Sequence, residues 1–301
     1  MAAVALTPFQ SAVLRWSSGD GCDDRGGWRD LPWRETRDPW AVLVSEVMLQ
    51  QTQVARVVPR WQAFLAHFPT VAACAAAPVG DVIAMWVGLG YNRRAVSLHR
   101  AAVELLSRYE GRVPASLAAL QALPGVGAYT ARAVLAFAFE ADVGVVDTNV
   151  ARVLARAVAG RALRSSREAQ ELADSLVPSG LWWRWNQAML DVGARHCIAG
   201  RPSCPGCPLA SAHCAWAATG WVAPDPAVGS AGVSGRQSAF AGSDRRGRGR
   251  LVRALGEAPI PWPALAVVAG WPRDPDRTAR VVASLVADGL AVQVGEELKL
   301  P

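Results

Sequence analysis

Apolar side chains recur at three- and four-residue spacing through most of residues 1–215, the period of helices that bury one face. Asp38 followed by Pro39 supplies a capping residue and a proline at the first helical position. Behind that start, Trp40, Leu43, Val44, Val47 and Met48 fall on one apolar face, and Glu46, Gln50 and Gln53 share a polar one. Further helices are expected around 54–64, 95–109, 128–139, 148–158, 168–176 and 185–193. No alternating strand pattern and no internal repeat interrupts them, so this body reads as all-α.

After Cys214 the pattern changes. Residues 220–238 are mostly Gly, Ala, Ser, Pro and Val with little periodicity, the signature of a linker. Helical spacing then returns at 244–255, 262–269 and 274–288, followed by apolar runs at 290–294 and 298–300 around Gly295-Glu296-Glu297, which suggests a hairpin. Three helices followed by a hairpin is the winged-helix order, in which the third helix enters a DNA groove. Arg273, Arg277 and Arg280 lie near or on that helix and suit either DNA contact or a solvated face.

Composition narrows the class. Of the 301 residues 51% are hydrophobic, enough for a packed core, and neither an export signal nor a bilayer-spanning segment is expected, so a cytoplasmic protein is anticipated. The net charge of +6 favours a polyanionic partner. Nearly all the positive charge is arginine, and Lys299 is the sole lysine. Cys22 and Cys74 stand apart, whereas Cys197, Cys204, Cys207 and Cys214 crowd together with gaps of six, two and six residues. Four such thiolates suit a [4Fe–4S] cluster or structural zinc better than a disulfide framework.

Three further segments carry candidate chemistry. Leu123-Pro124-Gly125-Val126-Gly127 allows a sharp turn that exposes amides at a helix N-terminus, as a helix–hairpin–helix does when it holds a DNA phosphate; an ordinary helix–helix turn is the alternative. Asp147 stands just before the helix expected at 148, as an N-cap or facing a bound nucleotide beside Asn149. Glu46 is an acid on a bulky apolar helix that also offers amides, which pair with base edges; an ordinary solvated face is the alternative.

Together the segments LPWR, SEVMLQQTQV, GLGYNRRA, LPGVGAYTA, VVDTNVARVLAR, NQAMLDVGA and the cysteines resemble the helix–hairpin–helix DNA glycosylases, and within them the MutY-type adenine glycosylases. The resemblance runs from about Leu31 to Cys214. It implies a helical barrel over 31–141, an iron–sulfur helical domain from 1–30 and 142–219, the linker at 220–238 and a winged-helix-like unit at 239–301, with double-stranded DNA between the two helical domains and the protein acting as a monomer. Glu46 and Asp147 would then face each other across the groove. By the same resemblance Glu46 is the general acid that protonates the adenine ring, held protonated by an apolar pocket, and Asp147 stabilises the oxocarbenium-like sugar. Tyr129 and Asn149 orient Asp147 and the sugar, Arg34 lies beside the adenine, and Gln51 and Tyr91 enter the stack the base has left. Gln50, Gly125, Val126 and Gly127 contact DNA, and the four cysteines hold a [4Fe–4S] cluster. The implied reaction is removal of adenine opposite 8-oxoguanine or guanine, leaving an abasic site without strand cleavage. The endonuclease III branch has a Schiff-base lysine where this chain has Tyr129.

Three features depart from the family pattern. The last cysteine gap is six residues instead of five, Thr148 stands where adenine-specific members commonly have glycine, and about sixty C-terminal residues replace a larger Nudix-like domain. The competing readings are a thymine-mismatch or oxidised-pyrimidine glycosylase, and a non-catalytic DNA-binding or redox-sensing iron–sulfur protein.

Overall fold

The computed structural model describes residues 5–19, 29–210, 212–235 and 239–301; Cys22 lies outside them. The chain divides into two compact units, one formed by Met1–Arg37 with Ala131–Arg236, the other by Asp38–Thr130 with Gln237–Pro301. Helix α1 (Pro8–Ser17) belongs to the first unit; α2 (Pro39–Leu49), α3 (Val54–His67), α4 (Val71–Ala76), α5 (Val79–Met85), α6 (Arg93–Tyr109) and α7 (Leu117–Gln121) belong to the second. The division falls inside α8 (Ala128–Ala138). The first unit continues with α9 (Thr148–Val153), α10 (Ser166–Leu176), α11 (Trp182–Arg195) and α12 (Ala215–Ala218). The second ends with α13 (Asp244–Leu255), β1 (Ile260–Pro261), α14 (Leu265–Ala269), α15 (Pro275–Ala287), β2 (Val292–Val294) and β3 (Glu297–Lys299). Among the described residues no helix is long and apolar enough to cross a membrane.

Local chemistry sets the helix starts. Thr7 and Gln10 form a reciprocal capping box at α1, and Asp38 accepts the Trp40 amide at 3.1 Å to open α2. The α2 helix differs from the one-sided reading of its sequence, because every residue from Trp40 to Met48 is buried, Ser45 and Glu46 included. The Trp61 indole N–H is satisfied by the Ala41 carbonyl, and that of Trp40 by the Phe68 carbonyl. Nor do Glu46, Gln50 and Gln53 share a helical face. The helix stops at Leu49, Gln51 adopts a left-handed backbone with φ 54°, and Gln53 is already the cap of α3.

In the first unit α11 lies against α1 and α9, and α9 widens into a π-helical stretch over Leu154–Ala159 that carries the buried Arg156. The segment read as a linker is docked here. Ala227 and Ser230 are buried, the Ser230 hydroxyl accepts the Leu163 amide at 2.9 Å, the Ala231 amide donates to the Leu163 carbonyl, and the Ser234 amide donates to the Thr148 hydroxyl at 3.0 Å. Individual backbone and hydroxyl bonds hold this stretch in place of a helix or strand, so no periodicity marks it.

The C-terminal residues form the expected three helices and hairpin, with β1 as an added strand in the antiparallel order β1-β3-β2. Gly295, at φ 60°, supplies the left-handed backbone of the tight hairpin loop. This part packs within the second unit: the Gly80 amide donates to the Pro301 carbonyl at 3.0 Å, and Asp288 pairs with Arg93 of α6 and Arg248 of α13. Arg277, one of the three arginines near the third helix, lies 4.1 Å over the Trp271 ring and bonds Asp244, while Arg273 and Arg280 are exposed.

Candidate active site and a thiol-lined cavity

The second unit holds the acid and the two residues expected to enter the DNA stack. Glu46 is 4% exposed on α2, one turn before the helix ends. Gln50, at the cap, donates through its amide to the Thr130 hydroxyl at 3.1 Å and to the Gly125 carbonyl at 3.4 Å, which ties α2 to the hairpin turn. Gly125 (φ 77°) must be glycine on two grounds, its left-handed backbone and its approach to α6, where a β-carbon would lie 2.7 Å from Ser97 Cβ. Val126 is buried beneath the turn and Gly127 is exposed, immediately before α8 begins at Ala128. Tyr129, on the first turn of α8, is half-buried. Gln51 and Tyr91 are both exposed and both left-handed, at φ 54° and 48°, a conformation rare for residues with side chains.

The first unit holds Asp147. It is the N-cap of α9, its Oδ1 accepting the amides of Asn149 at 2.8 Å and Val150 at 2.7 Å, while Oδ2 accepts the Asn149 side-chain amide at 2.5 Å. The cap reading of this residue is thus what the structure shows. Desolvation pushes its pKa up, opposed by the bonds from Val150 and Asn149 and by the charge of Arg152. Arg152 extends the chain of bonds. It donates to Asn149 Oδ1 at 2.6 Å, to the Gly193 carbonyl at 3.2 Å and to the Cys197 carbonyl at 2.6 Å.

Arg34 also lies in the first unit. Its buried guanidinium grips the fully buried Asp191 through two bonds, of 2.9 and 2.8 Å, and donates to the Arg29 carbonyl; Arg29 pairs with the same carboxylate. The structure therefore joins Asp147 to Asn149, and Gln50 to Gly125, and binds Arg34 to an acid that sequence reasoning passed over inside NQAMLDVGA. Arg94, Arg152 and Arg156 were also passed over, since an arginine inside a helical pattern reads as a solvated charge.

The four clustered cysteines are half-buried free thiols lining one cavity, with Arg156, Leu209 and Trp216 in its wall. The Arg156 guanidinium reaches Cys197 Sγ at 3.4 Å and forms a two-bond pair with Asp225 at 2.8 and 2.6 Å. Burial raises the Cys207 thiol to about 11 and raises that of Cys197 against the pull of Arg156. Among the described residues no three His, Cys, Asp or Glu side chains converge as ligands of one metal ion.

A capped carboxylate beside an asparagine, a buried glutamate and a two-glycine turn opening a helix are each present, as the resemblance to the helix–hairpin–helix glycosylases implies. In agreement, the family described as HhH-GPD superfamily base excision DNA repair protein matches residues 44–179. The chain belongs to this superfamily and, within it, to the adenine DNA glycosylases. The adenine DNA glycosylase of Mycolicibacterium smegmatis is 42% identical over 271 residues, 89% of each chain. Among solved structures, a thermostable thymine-DNA glycosylase matches at TM-score 0.62 and 30% identity, covering 70% of this chain and 95% of that one. A trapped covalent intermediate of endonuclease III with DNA, an estranged-adenine complex, matches at TM-score 0.59 and 25% identity, covering 72% and 100%.

Proposed function

We propose that the chain hydrolyses the N-glycosidic bond of adenine mispaired with 8-oxoguanine or guanine in double-stranded DNA and leaves an abasic site. The observation that carries this reading is the 42% identity to an adenine DNA glycosylase across 89% of both chains, which extends beyond the helical body into the C-terminal residues. Glu46 donates the proton that makes adenine a leaving group. Asp147, kept in place by two backbone amides and Asn149, offers a carboxylate to the positive charge that builds on the sugar. Asn149 orients that carboxylate, Arg34 is held by Asp191, and the family resemblance assigns Tyr129 to the sugar, Arg34 to the adenine, and Gln51 and Tyr91 to the gap left by the base. The Gly125-Val126-Gly127 turn and Gln50 hold the DNA backbone.

Cys197, Cys204, Cys207 and Cys214 fit a [4Fe–4S] cluster as its holders. Four free thiols share one cavity, and the Arg156 guanidinium reaches Cys197 Sγ at 3.4 Å, where it offsets thiolate charge. The cluster would cross-link residues 197–214 and supplies no step of the hydrolysis.

The test is a panel of duplexes bearing adenine opposite 8-oxoguanine, adenine opposite guanine, thymine opposite guanine, and thymine glycol. Adenine release is expected, with strand breakage only after alkali; preferred release of a pyrimidine sinks the assignment. Glu46→Gln is expected to bind the same duplex and release nothing. The iron reading predicts a brown protein containing iron, and a colourless protein holding zinc would refute it.

A further inference from the structure

Arg94 takes no part in the chemistry assigned above, yet its guanidinium joins two stretches of the second unit, residues 47–52 and 90–91. Nη1 donates to the carbonyls of Val47 (2.8 Å), Met48 (2.9 Å) and Gln50 (2.7 Å). Nη2 donates to the Thr52 hydroxyl and the Gly90 carbonyl, both at 2.9 Å, and Nε to the Tyr91 carbonyl at 3.4 Å. The Val47 and Met48 carbonyls belong to the last turn of α2, where acceptors lack helical donors and the helix dipole favours a cation. The guanidinium also lies 5.4 Å over the Trp86 ring and 5.7 Å over that of Tyr91. Burial lowers its pKa to about 10, so it stays charged at neutral pH.

The two loops tied by this cation are those of Gln51 and Tyr91. Each has the left-handed backbone that a non-glycine residue keeps only when its surroundings over-determine it. Arg94 supplies that determination from both sides, bonding the residues before and after Gln51, and Gly90 and Tyr91 directly. We infer that Arg94 is a positioning residue that presents Gln51 and Tyr91 to the DNA as one preformed wedge. A lysine could not replace it, because one ammonium cannot span six acceptors spread over two stretches. The inference rests on the assignment of Gln51 and Tyr91 as the residues that enter the stack.

The experiment uses the full chain and a duplex with 2-aminopurine, a fluorescent adenine analogue, opposite guanine. The fluorescence rise on binding reads extrusion, and adenine release is followed separately under single turnover. Arg94→Gln and the charge-retaining Arg94→Lys should each cut extrusion and release by about tenfold or more. In the Gln51→Ala/Tyr91→Ala background, a coupled site predicts a further loss from Arg94→Lys of less than about threefold. Should Arg94→Gln melt below assay temperature, Arg94→Lys decides the matter. An unchanged extrusion signal in Arg94→Lys, or a full additive loss in the doubly substituted background, overturns the inference while Gln51 and Tyr91 keep their role. If Gln51→Ala and Tyr91→Ala leave extrusion intact, the wedge assignment fails and takes this inference with it.

Discussion

Gly193 packs directly on the backbone of Asn149: a β-carbon at 193 would lie 2.6 Å from the Asn149 carbonyl oxygen and 2.7 Å from its Cβ. Helix α11 thereby fixes the residue that holds Asp147. Gly193→Ala must push the Asn149 loop aside, and a displacement approaching an ångström at a reacting group costs about 100-fold in rate. Single-turnover adenine release measures this, and a rate within threefold of the parent would show that the loop yields freely.

Arg152 connects that loop to the cysteines, bonding Asn149 Oδ1 and the Cys197 carbonyl at 2.6 Å each. Replacing it with methionine leaves both acceptors without their charged donor, a loss of about 1.5–3 kcal/mol per bond. Arg152→Met is expected to slow release at least tenfold and to lower the melting temperature. Unchanged release beside a lowered melting temperature would limit Arg152 to a structural role.

Asp147 carries a pH signature. Burial raises its pKa in the folded protein, so the native state holds this proton more tightly than the unfolded chain does. The stability from Asp147 is therefore full below the unfolded pKa and is lost as pH rises through the raised folded value. Measured against Asp147→Asn, which keeps a good cap, the parent should lose relative stability as pH rises from about 4. Its adenine release should fall on the acid side, where the carboxylate that must be ionised takes up a proton. Urea denaturation at several pH values checks the first statement, and a pH–rate profile the second; relative stability that rises with pH would reverse the sign and refute the argument.

The Arg156–Asp225 pair joins the segment after Cys214 to the thiol-lined cavity. Its arginine is buried, whereas the carboxylate keeps some solvent contact. Asp225→Ala leaves a buried guanidinium short of its partner, at a cost of about 2 kcal/mol for bonds to a charged group. Chemical denaturation should show that loss, and an unchanged midpoint would mean water replaces the carboxylate.

A Schiff base to the sugar needs an amine, and the sole lysine, Lys299, stands in β3 at the far end of the sequence. Borohydride added during turnover is expected to trap no covalent protein–DNA adduct on a denaturing gel. A trapped adduct would reveal strand-cleaving chemistry through another amine.

Much of the architecture could be read directly from the residues. Asp38-Pro39 marks a true helix start, 244–255 and 274–288 match α13 and α15 closely, and the hairpin turn falls at Gly295. Short α4, α5 and α7 escaped because helices of five to seven residues hold too few turns to show a period. The end of α2 escaped for another reason: nothing in Leu49-Gln50-Gln51-Thr52 breaks a helix, and the guanidinium that stabilises its last turn comes from forty residues downstream.

Taken alone, the sequence determined the helical class, the superfamily motifs and the grouping of four thiols, because short-range spacing encodes caps, turns and helical faces. Tertiary structure decided which arginines carry structure and which are solvated. Arg34 meets Asp191, Arg156 meets Asp225, and Arg94 meets the end of α2, each across dozens of residues. A guanidinium's partners depend on where the backbone brings acceptors in space, and the periodicity of a chain holds no record of that distance.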